Sequence, residues 1–144
     1  YIQSGNVIFR ASKNASRQEL SKGIEKKIGE EYGFAVPVII RTLGEMKKTL
    51  ALNPFLNQKG TDTERLYVTF LVETPKQADR KGIERFDCSP DKFIIIDEEV
   101  YLQCPQGYGN SKISNNLFEN KLKITATTRN WKTVSTLVEL ASNE

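Results

Sequence analysis

The sequence predicts an α+β protein made of two ferredoxin-like (α/β plait) repeats, the first lacking its initial strand and helix. Residues 66–142 follow the order β-α-β-β-α-β-α, which is a split βαβ unit followed by one extra helix. Residues 1–52 follow the order β-β-α-β-α, which is the same order entered one strand and one helix late. We therefore predict a partial repeat at 1–56, a connecting loop at 57–65 and a complete repeat with an extra C-terminal helix at 66–144.

The N-terminal elements are predicted from periodicity and capping residues. Tyr1–Arg10 alternates and is interrupted by a Ser-Gly-Asn turn at residues 4–6, which predicts two short strands. Apolar residues then recur every four positions between Ser16, a helix cap, and Gly33, a helix stop, so a helix is expected there. Val36–Arg41 is rich in β-branched residues and predicts a buried strand. A short helix should follow, beginning at Thr42 or Gly44 and ending near Asn53-Pro54.

The C-terminal elements follow from the same patterns. They are, in chain order, strand Leu66–Val72, helix Pro75–Phe86, strands Lys92–Asp97 and Val100–Cys104, helix Ile113–Leu122, strand Lys123–Thr127 and helix Asn130–Ala141. The run Phe93–Ile96 is apolar at every position, which predicts a central strand. The acidic residues 97–99 at the tip of this hairpin are interpreted as a solvated turn.

The composition excludes several kinds of chemistry. The chain has no His, and Cys88 and Cys104 lack the spacing of a zinc site, so we expect no metal and no cofactor, and Ser-His-Asp hydrolysis is excluded. No apolar run approaches the roughly 18 residues of a membrane span, and polar residues at 3–6 interrupt the only N-terminal apolar stretch, which does not resemble a signal peptide. Two idle thiols are typical of a reducing compartment, which predicts a cytoplasmic protein without a membrane partner.

The net charge of +3 is unevenly distributed along the chain. Residues 1–60 contain 10 Lys or Arg against 5 Asp or Glu, residues 61–103 contain 6 against 10, and residues 104–144 contain 5 against 3. The two basic blocks could share a face that attracts an anion while the acidic block points elsewhere. Solvated surfaces without any partner explain the same distribution.

The segment Gly107–Lys112 is the first candidate site. Gly107 and Gly109 allow the backbone to approach a ligand, and the loop leads into the N-terminus of a helix, where free N–H groups and the helix dipole favour an anion. Ser111 and Lys112 could add side-chain donors. The spacing matches neither a Walker A motif nor GxGxxG, and the alternative is a strand-to-helix loop in which Ser111 or Ser114 caps the helix.

The segment 125–133 is the second candidate site. Thr128 or Asn130 could cap the final helix, and Arg129 offers a planar fork that suits phosphate or carboxylate. A cation at a helix N-terminus opposes the dipole unless an anion is present, which favours a site here. Trp131 could stack on a base, although its spacing favours anchoring in the core. The repeat pattern suggests that Lys112 and Arg129 lie near opposite ends of the sheet.

Four segments together resemble a bacterial family known as domain of unknown function 1697. They are YIQSGNVIF at 1–9, Asn-Pro-Phe at 53–55, GYGNSKISNN at 107–116 and TATTRNWKTV at 125–134. The resemblance extends over essentially the whole chain and implies a tandem α/β plait, although the opening strand and glycine turn of the family are missing. It also implies candidate residues, which are Gln3, Ser4, Gly5, Asn6, Gly109, Ser111, Lys112, Thr128, Arg129, Asn130 and Trp131. The family has no established activity, so the resemblance implies no reaction.

Three functions remain open from the sequence. The first is binding of an anionic small molecule or a nucleic acid through the Gly107–Lys112 loop and the helix start at 127–132. The second is an enzyme that acts on a phosphate-bearing small molecule, with Lys112 or Arg129 stabilising charge. The third is a structural or partner-binding module without a ligand. A sheet that lacks its first strand would also expose an edge, which predicts a homodimer through that edge.

Overall fold

A computed structural model of the chain describes residues 5–12 and 14–143. Within these residues the protein is α+β, as the sequence predicts, with five α-helices and one sheet of four strands. The elements are α1 (Arg17–Tyr32), α2 (Leu43–Ala51), β1 (Leu66–Leu71), α3 (Gln77–Glu84), β2 (Lys92–Ile96), β3 (Glu99–Gln103), α4 (Asn115–Leu122), β4 (Ala126–Asn130) and α5 (Trp131–Ser142). No helix in this described part of the chain is both long and apolar enough to cross a bilayer.

The four strands form an antiparallel sheet in the order β2-β3-β1-β4. β1 and β3 are central, and Val68 of β1 lies opposite Tyr101 on one side and Arg129 on the other. Directly opposite residues point to the same face of a sheet, so these three side chains share a face. The observed order of elements from β1 to α5 is the order that the sequence predicts for residues 66–142.

Helices cover both faces of the sheet and produce two cores. On the first face α3 and α4 pack against the sheet, and the core there is built around Ile83, Phe118 and Leu122. On the second face α2 packs against α5, and the core there is built around Phe55, Trp131 and Val134. β1 contributes to both cores because its successive side chains point to opposite faces. The predicted role of Trp131 as a core anchor agrees with its burial, since it is 9% exposed.

The predicted central position of Phe93–Ile96 is wrong, because β2 is an edge strand. Ile95 packs in the first core and Ile96 packs against the second, so the helices on both faces extend far enough to cover the edge. Ile94 remains 38% exposed. A run of apolar residues therefore indicated burial on two faces, but it did not indicate hydrogen bonding on two edges.

The predicted strand at Val36–Arg41 is also wrong, since no strand forms there. Ile39 packs against the core of the second face, and the N–H of Val38 donates to the carboxylate of Glu25 at 3.0 Å. The β-branched residues therefore cover the sheet instead of extending it. Of the two strands predicted within residues 1–10, the described part, residues 5–10, contains none, and the rest lies outside the described residues.

The helix boundaries agree with the predicted caps at most positions. The hydroxyl of Ser16 accepts from the N–H of Glu19 at the start of α1, and Gly33 ends α1 with a φ of 74°. Thr42 and Glu45 form a reciprocal capping box at the start of α2. The start of β4 differs from the prediction, because Lys123 adopts a φ of 58° and ends α4, which delays the strand to Ala126.

Arg41 joins the N-terminal half of the chain to the sheet. Its side chain is 6% exposed, and its guanidinium donates to the carbonyls of Leu71 and Glu98 at 2.6 and 3.2 Å and to the carboxylate of Glu99 at 3.1 Å. Burial, the largest effect, raises the pKa of Glu99, while the charge of Arg41 acts in the opposite direction. A buried ion pair of this kind holds the segment before α2 at the turn between β2 and β3.

The acidic turn of the hairpin is therefore not the solvated turn that the sequence suggested. Besides the pair between Glu99 and Arg41, the carboxylate of Glu98 accepts from Arg17 at 2.9 Å, at the start of α1. Arg17 also pairs with Glu45 of α2. α1 has no fully buried residue, so these ionic contacts are a main part of its attachment.

We predict that Arg41→Met lowers the free energy of unfolding by about 3–5 kcal/mol, because it leaves the carboxylate of Glu99 buried without its partner. Urea denaturation measures this change. Lys26→Met is the matched control, since Lys26 pairs with Glu30 on the exposed side of α1 and its loss should cost less than about 1 kcal/mol. Equal effects of the two substitutions would contradict the role of Arg41.

Candidate functional site

Both candidate segments lie at one end of the sheet. β1 begins at this end and β3 and β4 finish at it, because Leu66 lies opposite Gln103 and Tyr67 lies opposite Asn130. The expectation that Lys112 and Arg129 lie near opposite ends is therefore wrong. β3 and β4 both run antiparallel to β1, so the loop after β3 and the junction after β4 leave the sheet on the same side.

The two segments nevertheless diverge to different faces of the sheet. The loop after β3 leads into α4 on the first face, whereas Arg129, opposite Val68, belongs to the second face. Arg129 therefore lies on the other face of the sheet from α4, the helix that Ser111 and Lys112 precede. The two segments are neighbours along one end of the sheet.

The Gly107–Lys112 loop receives an anion from the protein itself. The carboxylate of Asp91, a residue 6% exposed, accepts from the hydroxyl of Ser111 at 2.9 Å and from the N–H of Lys112 at 3.3 Å. The N–H of Ile113 donates in turn to the hydroxyl of Ser111 at 3.0 Å. An internal carboxylate thus occupies the hydroxyl of Ser111, one of the donors that the sequence assigned to an external anion, together with the backbone N–H of Lys112.

The glycines and serines of this loop have identifiable positions. Gly107 has a φ of 88°, and a Cβ there would lie 3.3 Å from Nη1 of Arg65, so glycine permits both the turn and this close approach. Gly109 has open space around its Cα. Ser114 caps α4 by accepting from the N–H of Leu117 at 3.2 Å, which agrees with the capping alternative for this loop.

Thr128 links β4 to the start of α4. Its hydroxyl donates to the side-chain oxygen of Asn115 at 2.9 Å and accepts from the hydroxyl of Thr69 at 2.7 Å, because a hydroxyl has one proton to donate. The N–H of Asn115 donates to the hydroxyl of Tyr108 at 2.6 Å. The ring of Tyr108 lies 5.2 Å from that of Tyr67. Thr128 is therefore engaged in a network that joins β4, α4 and the glycine loop.

Arg129 is a half-buried cation whose known partners are all uncharged. Its guanidinium donates to the side-chain oxygen of Asn6 at 2.8 Å, to the carbonyl of Gly5 at 3.2 Å, and to the hydroxyl of Thr127 and the carbonyl of Thr128 at 2.7 and 2.9 Å. These four bonds leave one of its five N–H donors unused among the described residues. Burial lowers its pKa, and no ion pair among the described residues includes it.

The helix start beside Arg129 is formed as predicted. Asn130 caps α5 by accepting from the N–H of Thr133 at 2.8 Å, and Lys132 is exposed in the first turn. Gly5 and Asn6 lie against Arg129. The contact joins two of the segments that resemble a known family, those at 1–9 and 125–134. The secondary candidates Gln3 and Ser4 precede Gly5 and lie outside the described residues.

Sequence reasoning missed three residues that shape this end of the sheet. The first is Asp91, and no local pattern in the sequence connects it with Lys112, which lies 21 residues further along the chain. Tyr108 and Asn115 were not singled out, although their place in the glycine-rich segment was a usable signal. In the described part of the chain no group of three Cys, Asp or Glu side chains converges on a metal site.

Both cysteines are buried thiols near the glycine loop. Burial, partly opposed by a hydrogen bond to Ser111, raises the pKa of Cys104 to about 11. Burial and the nearby charge of Asp91 raise the pKa of Cys88, whose thiol donates to the carbonyl of Asp91 at 3.2 Å. Raised pKa values keep both groups as unreactive thiols at neutral pH.

Comparison with known families gives a match over residues 1–101 to the family described as a protein of unknown function (DUF1697). The chain belongs to the DUF1697 family. No curated protein and no solved structure matches this DUF1697 chain. The matched range ends within β3, so it includes Asn6 but not the two segments at 107–116 and 125–134. The argument for a site in these two segments of the DUF1697 protein therefore rests on the geometry of this chain and not on the family match.

We predict that Asp91→Ala lowers the free energy of unfolding by about 1–3 kcal/mol, because it leaves the N–H of Lys112 and the hydroxyl of Ser111 without their acceptor. Thiol labelling under native conditions should also become faster, since Asp91 holds the loop that covers Cys104. The matched control is Asp87→Ala, a neighbouring exposed carboxylate. Unchanged stability and unchanged labelling in Asp91→Ala would contradict this account of the loop.

Proposed function

We propose that the chain binds a phosphate-bearing anionic ligand, nucleotide-like or nucleic acid, at the end of the sheet where Arg129 lies. The observation that supports this proposal most strongly is the pairing of Arg129. A cation that has lost part of its hydration is costly unless a charge compensates it, and its partners among the described residues are uncharged oxygens. A ligand phosphate or carboxylate would supply the missing charge.

The surroundings of Arg129 suit an anion. Lys132 and Arg65 are exposed near the same end of the sheet, and neither is in an ion pair among the described residues. α5 begins directly after Arg129, so its first N–H groups and its dipole add positive potential there. The guanidinium is fixed by Asn6 and Gly5, which reduces the conformational entropy that binding would cost.

The stacked pair of Tyr67 and Tyr108 supports a ligand that carries a base. Both side chains are half-buried at the same end of the sheet but pack on the first face, so a base would reach them only from a ligand that extends around the end of the sheet from Arg129. Aromatic rings beside a basic surface are the usual platform for unpaired bases. Arg129 would recognise the phosphate that is common to inorganic phosphate, a mononucleotide and a single-stranded nucleic acid. Only the mononucleotide and the single strand carry a base that would contact the tyrosines.

We also propose the finer assignments of fold and location. The element order from β1 to β4 and the strand order support one ferredoxin-like unit, and α1 and α2 support a partial second unit in the N-terminal half. Two buried free thiols support a reducing, cytoplasmic location. A second copy of the chain is a further proposed partner, because β2 and β4 each have one edge that no strand pairs among the described residues.

We predict that Arg129→Gln weakens binding of a labelled single-stranded oligonucleotide at low salt by at least about tenfold, because it removes the charge that faces the ligand phosphate. Fluorescence anisotropy measures the affinity, and competition with inorganic phosphate and with mononucleotides identifies which part of the ligand is recognised. Arg129→Lys should recover only part of the affinity, since Lys lacks the planar fork.

The matched control is Lys121→Gln, which removes the same charge from an exposed position on α4. It should change the affinity by less than about twofold, which is small against the tenfold expected at a contact. No binding of any of these anions at low salt would refute the proposal. Equal losses in Arg129→Gln and Lys121→Gln would show that only net charge matters.

A further inference from the structure

Arg65 places a cation beside the stacked tyrosines. It ends the short 3-10 turn Thr63–Arg65, directly before β1. Its guanidinium approaches the glycine loop, because a Cβ on Gly107 would lie 3.3 Å from Nη1 of Arg65. Gly107 is followed by Tyr108, whose N–H donates to the hydroxyl of Tyr67 at 3.4 Å. A cation and two aromatic rings therefore meet at this end of the sheet, on the face to which both tyrosines pack.

The two tyrosine rings are held in place by their hydroxyls. The hydroxyl of Tyr108 accepts from the N–H of Asn115 at 2.6 Å, and that of Tyr67 accepts from the N–H of Tyr108. The ring centroids are 5.2 Å apart with the rings inclined by 33°, and both side chains are half-buried. A ring that is already fixed loses little side-chain entropy when a base contacts it. The pair therefore offers a partly exposed aromatic surface of fixed orientation.

Arg65 is exposed and forms no ion pair in the part of the chain that the structure describes. Asp62 and Glu64 are exposed carboxylates just before it, and Asp62 accepts from the N–H of Glu64 at 3.0 Å. Like charges repel, so these carboxylates would confine a ligand phosphate to the side of the guanidinium that faces Gly107. That side is also the side of the tyrosines.

Arg65 lies between the two faces along the end of the sheet. The turn to which it belongs packs against α5, on the second face with Arg129, while its guanidinium reaches the loop of the first face. The side-chain layers on the two faces of a sheet are roughly 10 Å apart. A mononucleotide holds its base directly beside its own phosphate, so it contacts Arg129 or the tyrosines but not both. A strand of several nucleotides offers successive phosphates to the two arginines and a base to the tyrosines.

We infer that the ligand is a single-stranded nucleic acid that passes around this end of the sheet, with one phosphate at Arg129, a second at Arg65 and a base on Tyr67 and Tyr108. The inference rests on the proposed anion site at Arg129 and adds the class of ligand and a second cation. Bases of a single strand are free to stack on protein rings, whereas those of a duplex stack on each other. Inorganic phosphate and a mononucleotide would occupy the Arg129 site alone.

Fluorescence anisotropy of a labelled oligothymidylate, with unlabelled competitors from thymidine monophosphate up to strands of about eight residues, tests the inference at low salt. The affinity should rise by at least about tenfold between the mononucleotide and a strand of about four residues, because only the strand engages both arginines and the tyrosines.

Two variants locate the added contacts. Arg65→Gln should lower the affinity for the strand by at least about fivefold and reduce the slope of log affinity against log salt concentration by roughly 0.7, the value for one phosphate contact on a single strand. Tyr108→Leu should lower the ratio of the affinity for the strand to that for inorganic phosphate, because only the strand carries bases.

Lys76→Gln is the matched control. It removes a charge from an exposed position at the start of α3, after β1 has left the opposite end of the sheet, and it should change the affinity by less than about twofold. Circular dichroism of each variant establishes that it is folded.

The outcomes separate this inference from the proposed function. Equal affinities for the mononucleotide and the longer strands, with a loss only in Arg129→Gln, would overturn the inference and preserve the anion site. An unchanged salt slope in Arg65→Gln would overturn the path around the end of the sheet. No binding of phosphate, mononucleotide or strand would refute the proposed function and this inference together.

Discussion

The buried guanidinium of Arg41 is the interaction on which the arrangement of the two halves depends. It binds the end of β1 through the carbonyl of Leu71 and the β2–β3 turn through Glu98 and Glu99, while it belongs to the segment just before α2. Arg17 attaches α1 to the same turn. The basic N-terminal block and the acidic block at 61–103 therefore compensate each other at these contacts, which explains part of the uneven charge distribution without any external partner.

The fold of residues 66–142 was predictable because its signals are local. Helix caps such as Ser114 and Asn130, and apolar periods of two and four, are decided within a few residues of chain. The position of β2 was not predictable, since an edge strand covered by helices on both faces has the same apolar pattern as a central one. The prediction of a strand at Val36–Arg41 failed for a related reason. Packing against a sheet and pairing within a sheet favour the same β-branched residues.

The placement of the candidate segments was not predictable from the repeat pattern. That pattern suggested that Lys112 and Arg129 lie near opposite ends of the sheet, whereas both segments lie at one end and lead to different faces. Asp91 supplies an internal carboxylate to the first segment, a long-range contact that no local pattern encodes. Arg129 in the second segment has only uncharged partners among the described residues, and the contact with Asn6, 123 positions away, could be seen only in the structure. Arg41 is thus neutralised by an adjacent carboxylate, whereas Arg129 has only uncharged partners among the described residues, and this contrast is the basis of the proposed ligand site.

The most direct test of this contrast is the nuclear magnetic resonance spectrum of the arginine side-chain Nε–H groups during titration with inorganic phosphate. Arg129 should show a saturable shift at low salt, because its guanidinium has no charged partner in the described structure. Arg41 should show none, because a carboxylate and three carbonyls already surround it. A shift of Arg41 equal to that of Arg129, or no shift of Arg129 at any phosphate concentration, would contradict the account.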